Sequence, residues 1–263
     1  MNSFSRKDIP IIITAFGTTT SAFSTYEKMD AVFKTGFPDN PVYWAWSSRM
    51  VTASLKKAEN KILKDPVTLM SELAASGHEW AVLQSLHLIC GHEFDRLVSG
   101  ERPEGFRTSM GLPLLTSADD YIAAAKAVAR FVPMEQDMAA VFVGHGTDHP
   151  AWTSYPAFES VLRRLYGDSV FTGVVEGYPD MDITLERVVK AGFKKVRLVP
   201  FMLVAGTHFR EDLTGGPDSW QKTFESRGIA VEVTDHGMGH INMITKIYCS
   251  HIRDALDIIP LQD

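Results

Sequence analysis

Two histidines each stand beside a glycine just past an apolar run: His145 in V-F-V-G-H-G-T and His208 in L-V-A-G-T-H. A third apolar run, F-T-G-V-V-E-G, ends on Glu176. A carboxylate leaving a buried run must reach a partner or solvent. Two imidazoles and one carboxylate suit a divalent first-row transition ion and leave coordination positions open for a second ligand. Each residue also has a plainer reading, since a histidine beside glycine is a common turn residue and Glu176 could cap the helix that follows. The three together favour the metal. Gly144 and Gly146 flank His145 and would let backbone approach a large flat ligand closely.

Other chemistry is less well supported. His145 with His149 and His236 with His240 have the i, i+4 spacing of a helical metal pair, but Gly146, Pro150, Gly237 and Gly239 argue against helices there. No H-E-x-x-H occurs, and His92-Glu93 lacks its second histidine. The loop F-G-T-T-T-S (16–21) could offer backbone N–H groups and hydroxyls to carboxylates, although capping of the next helix explains it as well. It lacks the P-loop lysine, and no G-x-G-x-x-G or G-x-S-x-G is present, so no nucleotide or organic cofactor is expected.

The elements that must position these residues repeat. Residues 9–19 match 138–148 with Gly17 over Gly146, and residues 77–91 match 192–206 without a gap, setting Met202 opposite His87. Apolar runs at 11–15, 42–46, 80–89, 106–110, 139–144, 170–176, 195–205 and 230–235 read as strands. Helical spacing fills 21–35, 49–63, 66–76, 117–131, 151–166, 182–191 and 239–258. Asp65-Pro66 and Asp182 read as helix starts, Gly77 and Gly192 as stops. The succession predicts an α/β protein of two similar halves, each a parallel sheet flanked by helices, facing across a cleft. The join falls at 132–138, giving residues 1–135 and 136–263, the second half carrying the metal site. Ligands of such sheets bind outside the carboxyl ends of the strands, where all the singled-out residues fall.

A chain of 263 residues with 45% hydrophobic and 22% charged residues is an ordinary globular composition. The net charge of -6 speaks against nucleic-acid or anionic-membrane partners. Cys90 and Cys249 lie in apolar surroundings and read as reduced thiols rather than a disulfide. With no export signal or membrane span in the sequence, a cytoplasmic location is expected. A homo-oligomer is compatible with the aromatic stretch VYWAW and with Met202, Met238 and Met243, although buried core accounts for them better.

Seven motifs in order, AFGTT, QSLHLICGHEFD, GLPLLTSADDY, FVGHGTDHPAW, VVEGYPDMD, LVPFMLVAGTHF and PDSW, together resemble the anaerobic cobaltochelatases of CbiK type, class II tetrapyrrole chelatases. The resemblance covers nearly the whole chain. It implies ATP-independent insertion of Co(II), the substrate metal, into sirohydrochlorin or precorrin-2 on the way to cobalamin. It places the metal on His145, Glu176 and His208, with a histidine accepting a pyrrole proton. His87 and Glu93 become helpers in proton transfer or substrate contact, and Phe16, Gly17, Thr18, Gly144, Gly146 and Met202 further substrate contacts. Ala15 and Thr19 stand where family members often carry serine, which bears on the macrocycle contacts. Related chelatases insert iron or nickel, and the ligand set does not choose among the metals. A non-catalytic tetrapyrrole or metal carrier would use the same residues, whereas a two-lobed solute receptor would need an export segment.

Overall fold

Buried apolar runs set the central strands. Ile11–Ala15 (IIITA) is buried along its whole length and forms β1, and Met138–Gly146, buried as far as Gly144, forms β5. Strands covered on both faces read as continuous apolar runs, as parallel sheets flanked by helices require. The structure, a computed structural model, describes residues 6–17, 23–48 and 63–260, the side chains of residues 207 and 208 excepted. The other strands are β2 (Val42–Trp46), β3 (Trp80–Ser85), β4 (Arg107–Gly111), β6 (Val170–Glu176), β7 (Lys195–Pro200) and β8 (Ala230–Val233). The helices are α1 (Ser24–Gly36), α2 (Pro66–Ala75), α3 (His92–Ser99), α4 (Ala118–Ala127), α5 (Ser154–Tyr166), α6 (Met181–Lys190), α7 (Thr207–Arg210), α8 (Trp220–Ser226) and α9 (Asn242–Ile258).

The strands form two all-parallel four-stranded sheets of the same order, β2-β1-β3-β4 and β6-β5-β7-β8. In each sheet the chain winds outward first to one side and then to the other, so the switch point lies between β1 and β3, and between β5 and β7. The α/β class and the duplication expected from the sequence both hold. Helix 49–63 lies outside the described residues. α3, α7 and α8 had no counterpart among the expected helices. Two expected strands are too long: β3 stops at Ser85 and β7 at Pro200, and the apolar residues beyond them continue as turns.

Helix ends follow their capping chemistry. The Asp65 carboxylate accepts from the N–H groups of Val67 and Thr68, with Pro66 in the first turn, and Gly77 adopts φ 91° just past the end of α2. α6 is capped by Asp180, which accepts from Ile183, and not by Asp182 two residues later. Asp182 instead lies in the first turn, where a carboxylate favours the helix dipole.

Contacts divide the chain into one unit of Met1–Thr116 with Ile244–Asp263 and another of Ser117–Met243. This differs from a division at 135/136. α4 is counted with the second unit, where Tyr121 meets the Phe158 ring at 6.5 Å and Tyr166 donates to the Ala125 carbonyl at 3.2 Å. α9 is counted with the first unit, where the Tyr248 hydroxyl donates to the carbonyls of Leu86 and His87, both at 3.2 Å. The His251 Nδ1 bonds the Leu112 carbonyl at 2.9 Å on the same helix. Each half's last helix therefore completes the other unit.

Each unit has its own core, with Leu69, Leu73, Leu83 and Phe106 in the first and Phe171, Leu185, Leu198 and Phe224 in the second. Fully burying such a side chain contributes roughly 1.5–3 kcal/mol. In the first unit Trp44 stacks on Trp46, and Tyr26 meets both edge to face, beside a cavity of about 390 Å³. Trp46 and Met238 are buried, whereas Tyr43 and Met243 are exposed. Cys90 and Cys249 are free thiols whose pKa burial pushes up. Among the described residues no helix is long and apolar enough to cross a membrane.

One buried charge is tied into the second unit. Glu159, 6% exposed, accepts from the Thr172 N–H at 2.7 Å and pairs with Arg163 at 3.1 Å and with Arg187. These bonds hold α5 and α6 to β6, so removing the carboxylate leaves a buried N–H unpaired and two guanidinium groups without their partner. Glu159→Ala is expected to lower stability by about 3 kcal/mol, and urea unfolding would measure it; a change below about 1 kcal/mol would mean that water replaces the carboxylate at no net cost.

Candidate metal centre

His145 and Glu176 are brought together by strand register. In the parallel pairing of β5 with β6, Gly146 is the partner of Glu176, which sets the two exposed side chains at the carboxyl ends of adjacent strands. Both glycines around His145 are required by packing. A Cβ on Gly144 would lie 2.3 Å from the Tyr155 ring, and a Cβ on Gly146 would lie 1.7 Å from the Glu176 carbonyl oxygen. Gly146 also has φ 91°, a conformation that side chains disfavour. The His145 Nδ1 lies 3.3 Å from the Gly146 carbonyl. With the proton on that nitrogen, Nε2 presents its lone pair outward, the form in which imidazole binds a metal. Because Asp180 caps α6, Glu176 is not spent on capping.

His208 lies in α7, the single turn that follows β7 through the segment 201–206. β5 and β7 are neighbours at the switch point of the second sheet, so His145 and the segment leading to His208 flank the crevice where ligands of such sheets bind. Among the described residues no three His, Cys, Asp or Glu side chains are grouped to hold a metal. His145 and Glu176 are two members of the expected trio, and the His208 side chain lies outside those residues. The rejected pair His145 and His149 is not a chelate: the His149 Nδ1 accepts from the Ala151 N–H at 3.1 Å and caps the short turn Pro150–Thr153.

The first unit repeats the backbone frame with different side chains. Phe16, 48% exposed, stands where the second unit has His145, and Gly17 has φ 98° as Gly146 has 91°. Thr18 and Thr19 lie outside the described residues. His87 follows β3 as Met202 follows β7, and the two peptides are used alike. The carbonyls of His87 and Leu88 accept from Leu114 and Leu115 at 3.0 and 2.8 Å, while those of Met202 and Leu203 accept from Met238 and Gly239 at 2.7 and 2.9 Å. The pairing of Met202 with His87 read from the ungapped match is therefore present in the backbone.

His87 itself is held by the Ser85 hydroxyl, 2.8 Å from its Nδ1, and its Nε2 is buried with no hydrogen-bond partner among the described residues. Burial lowers its pKa to about 4, against a smaller opposing pull from Glu93. Glu93 stands in the first turn of α3 and pairs with Arg96 at 2.5 Å.

Two groups of residues at these strand ends escaped the sequence reading. The Gly146 N–H donates to the Tyr155 hydroxyl at 3.1 Å, and the Gly17 N–H likewise donates to Tyr26. Both tyrosines are buried and held protonated by that burial. Each follows its glycine by nine residues, so carrying the ungapped match seven positions past its end would have found them. The second group is the exposed Tyr178, whose ring meets Trp152 edge to face at 5.4 Å beside Glu176. Both rings lie within motifs quoted for the resemblance.

Comparison with known proteins agrees with this frame. The family profile described as Cobalt chelatase (CbiK) matches residues 10–257. The sirohydrochlorin cobaltochelatase of Salmonella typhimurium is 30% identical over 257 residues, spanning 94% of this chain and 96% of that protein. The sirohydrochlorin cobaltochelatase CbiKC of Nitratidesulfovibrio vulgaris is 31% identical over 261 residues, spanning 95% and 91%. Among solved structures, SirB from Bacillus subtilis with Fe3+ superposes with a TM-score of 0.68 at 13% identity, covering 95% of this chain and 96% of that one. By the extent of the family match and the curated relatives, the chain belongs to the cobalt chelatase (CbiK) family.

Proposed function

We propose that the chain is a sirohydrochlorin cobaltochelatase, inserting Co(II) into sirohydrochlorin without ATP in the biosynthesis of cobalamin. The observation that carries this reading is the family match through residues 10–257, which includes the Gly-His-Gly strand end and its Glu176 neighbour. The reaction exchanges two pyrrole protons for one metal ion, so the enzyme must hold the ion loosely, present it to the ring and accept protons. His145, Glu176 and His208 hold the ion. Exposed, open ligands suit a cargo that must leave, since a closed site of four protein ligands would retain it.

The family's flat macrocycle meets flat surfaces here. Gly144 and Gly146 leave the end of β5 without side-chain bulk on either side of His145, and the Trp152–Tyr178 pair offers aromatic area beside Glu176. Phe16, Gly17, Thr18, Met202 and Glu93 are proposed as further substrate contacts. His87, at a pKa of about 4, is a weak base at neutral pH and serves as a neutral contact. The pyrrole protons therefore pass to His145 or His208, the imidazoles that would stand at the ion.

The test is an absorbance assay with sirohydrochlorin and Co(II), Fe(II) or Ni(II) in turn. Multiple turnovers with Co(II) fastest are expected, and binding without turnover would identify a carrier instead. His145→Ala and His208→Ala should each lower the insertion rate by at least 100-fold, on the scale of removing a general base, with unchanged thermal unfolding. Near-normal rates in both would remove the histidines from the site. Glu176→Gln should weaken Co(II) loading more than sirohydrochlorin binding, as two separate titrations would report. A pH prediction follows from His87. Its folded-state pKa lies below that of the unfolded chain, so the unfolded state binds the extra proton between about pH 4 and 6.5. Stability is then fully present above pH 6.5 and falls by up to roughly 3 kcal/mol as pH drops through that window. His87→Leu should flatten this slope in urea unfolding at pH 4.5 against pH 7; an unchanged slope would show that His87 titrates normally.

A further inference from the structure

One side chain grips the main chain on both sides of His145. The Tyr155 ring lies against Gly144, where an added Cβ would come within 2.3 Å of it, and the Tyr155 hydroxyl accepts the Gly146 N–H at 3.1 Å. Tyr155 is buried in the first turn of α5, and burial raises the pKa of its phenol, so the hydroxyl stays neutral. Its carbonyl accepts from the Thr172 hydroxyl at 3.2 Å, and the Thr172 N–H donates to Glu159 further along α5. The helix is fastened by these bonds to β6, the strand that ends on Glu176.

Gly146 in turn faces the imidazole. Its carbonyl oxygen lies 3.3 Å from the His145 Nδ1 and can only accept, so the contact is a hydrogen bond only when Nδ1 carries the proton. A histidine side chain in water prefers its proton on Nε2, so the tautomer with Nε2 free has to be held by a neighbour. Glycine at φ 91° gives that carbonyl no direction of its own. Direction comes from the N–H bonded to Tyr155 and from the Cα pressed on the Glu176 carbonyl.

We propose that Tyr155 is a positioning residue for His145: by holding the Gly146 N–H it keeps the Gly146 carbonyl on Nδ1 and leaves Nε2 unprotonated. Hydrogen-bond partners of this kind orient a metal-binding imidazole and fix which nitrogen is free. That the free Nε2 receives Co(II) rests on the insertion reading, whereas the hold on the tautomer does not. The first unit has the same grip without the imidazole, since the Gly17 N–H donates to Tyr26 and Phe16 stands in place of His145. Y26F therefore removes an equivalent bond and separates an effect on His145 from general loosening.

Nitrogen-15 NMR of the metal-free full chain reads the tautomer at about pH 9, well above the range in which histidines ordinarily titrate. H145Q identifies the His145 signals by their loss. The wild type is expected to carry the proton mainly on Nδ1. Y155F keeps the ring on Gly144 and should return the proton to Nε2, while Y26F should leave His145 as in the wild type. A proton mainly on Nε2 in the wild type would overturn the proposal, as would a tautomer unmoved in Y155F or moved equally in Y26F. The Gly146 amide of the wild type should also exchange slowly with solvent, and rapid exchange would remove the hold even if Y155F failed to fold. Equilibrium dialysis with Co(II) alone should show binding about 10-fold weaker in Y155F. Unchanged affinity there, with H145Q weakened, would sink the positioning role. If H145Q binds Co(II) as the wild type does while the tautomer moves in Y155F, the hold stands and the insertion-site assignment fails.

Discussion

The centre depends on one close approach: the backbone of Gly146 against the carbonyl of Glu176. Parallel strands hold register through evenly spaced hydrogen bonds, and this pair extends the register of β5 and β6 to the point where both strands leave the core. Any side chain at residue 146 would force the strand ends apart, because its first carbon would overlap the carbonyl. The imidazole of His145 and the carboxylate of Glu176 are thus placed by main chain, with little reliance on their own packing. That is why two exposed side chains can be kept near one another without the burial that would hamper exchange of an ion.

The duplicated frame separates scaffold from chemistry. Both units have a positive-φ glycine after the central strand, a tyrosine nine residues later receiving its N–H, and a turn after the third strand whose two carbonyls are bonded from the following loop. The side chains projected from this common frame differ. Where the second unit carries His145, the first carries Phe16, and where the first carries a buried neutral His87, the second carries Met202. The same peptide geometry therefore presents an exposed imidazole beside a carboxylate in one copy and a largely apolar surface in the other.

Much of this was legible in the residues. Continuous apolar runs marked the central strands, because burial on both faces leaves no polar alternation to confuse the pattern. The carboxyl-end placement of His145, Glu176 and His208 followed from those runs. Strand ends were read too long at residues 86–89 and 201–205, where apolar residues turn inward without joining a ladder, and hydropathy does not distinguish the two. The cap of α6 was misread because Asp180 and Asp182 are chemically alike and only backbone conformation separates them. The stacking of the His236 and His240 rings was hidden by glycines that forbid a helix but permit a tighter turn. The exchange of α4 and α9 left no signal either, since an amphipathic helix declares that it has an apolar face and not which surface will cover it.

The exchange of terminal helices bears on how the molecule comes into being. Chains emerge from the ribosome amino end first, and domains ordinarily fold in that order. Here the second unit, Ser117–Met243, is continuous and has every strand and helix it needs once residue 243 has emerged. The first unit waits for α9, whose Tyr248 ties down the carbonyls of Leu86 and His87 from more than 160 residues away. The copy that lacks counterparts of His145 and His208, although made first, is the last to be completed during synthesis.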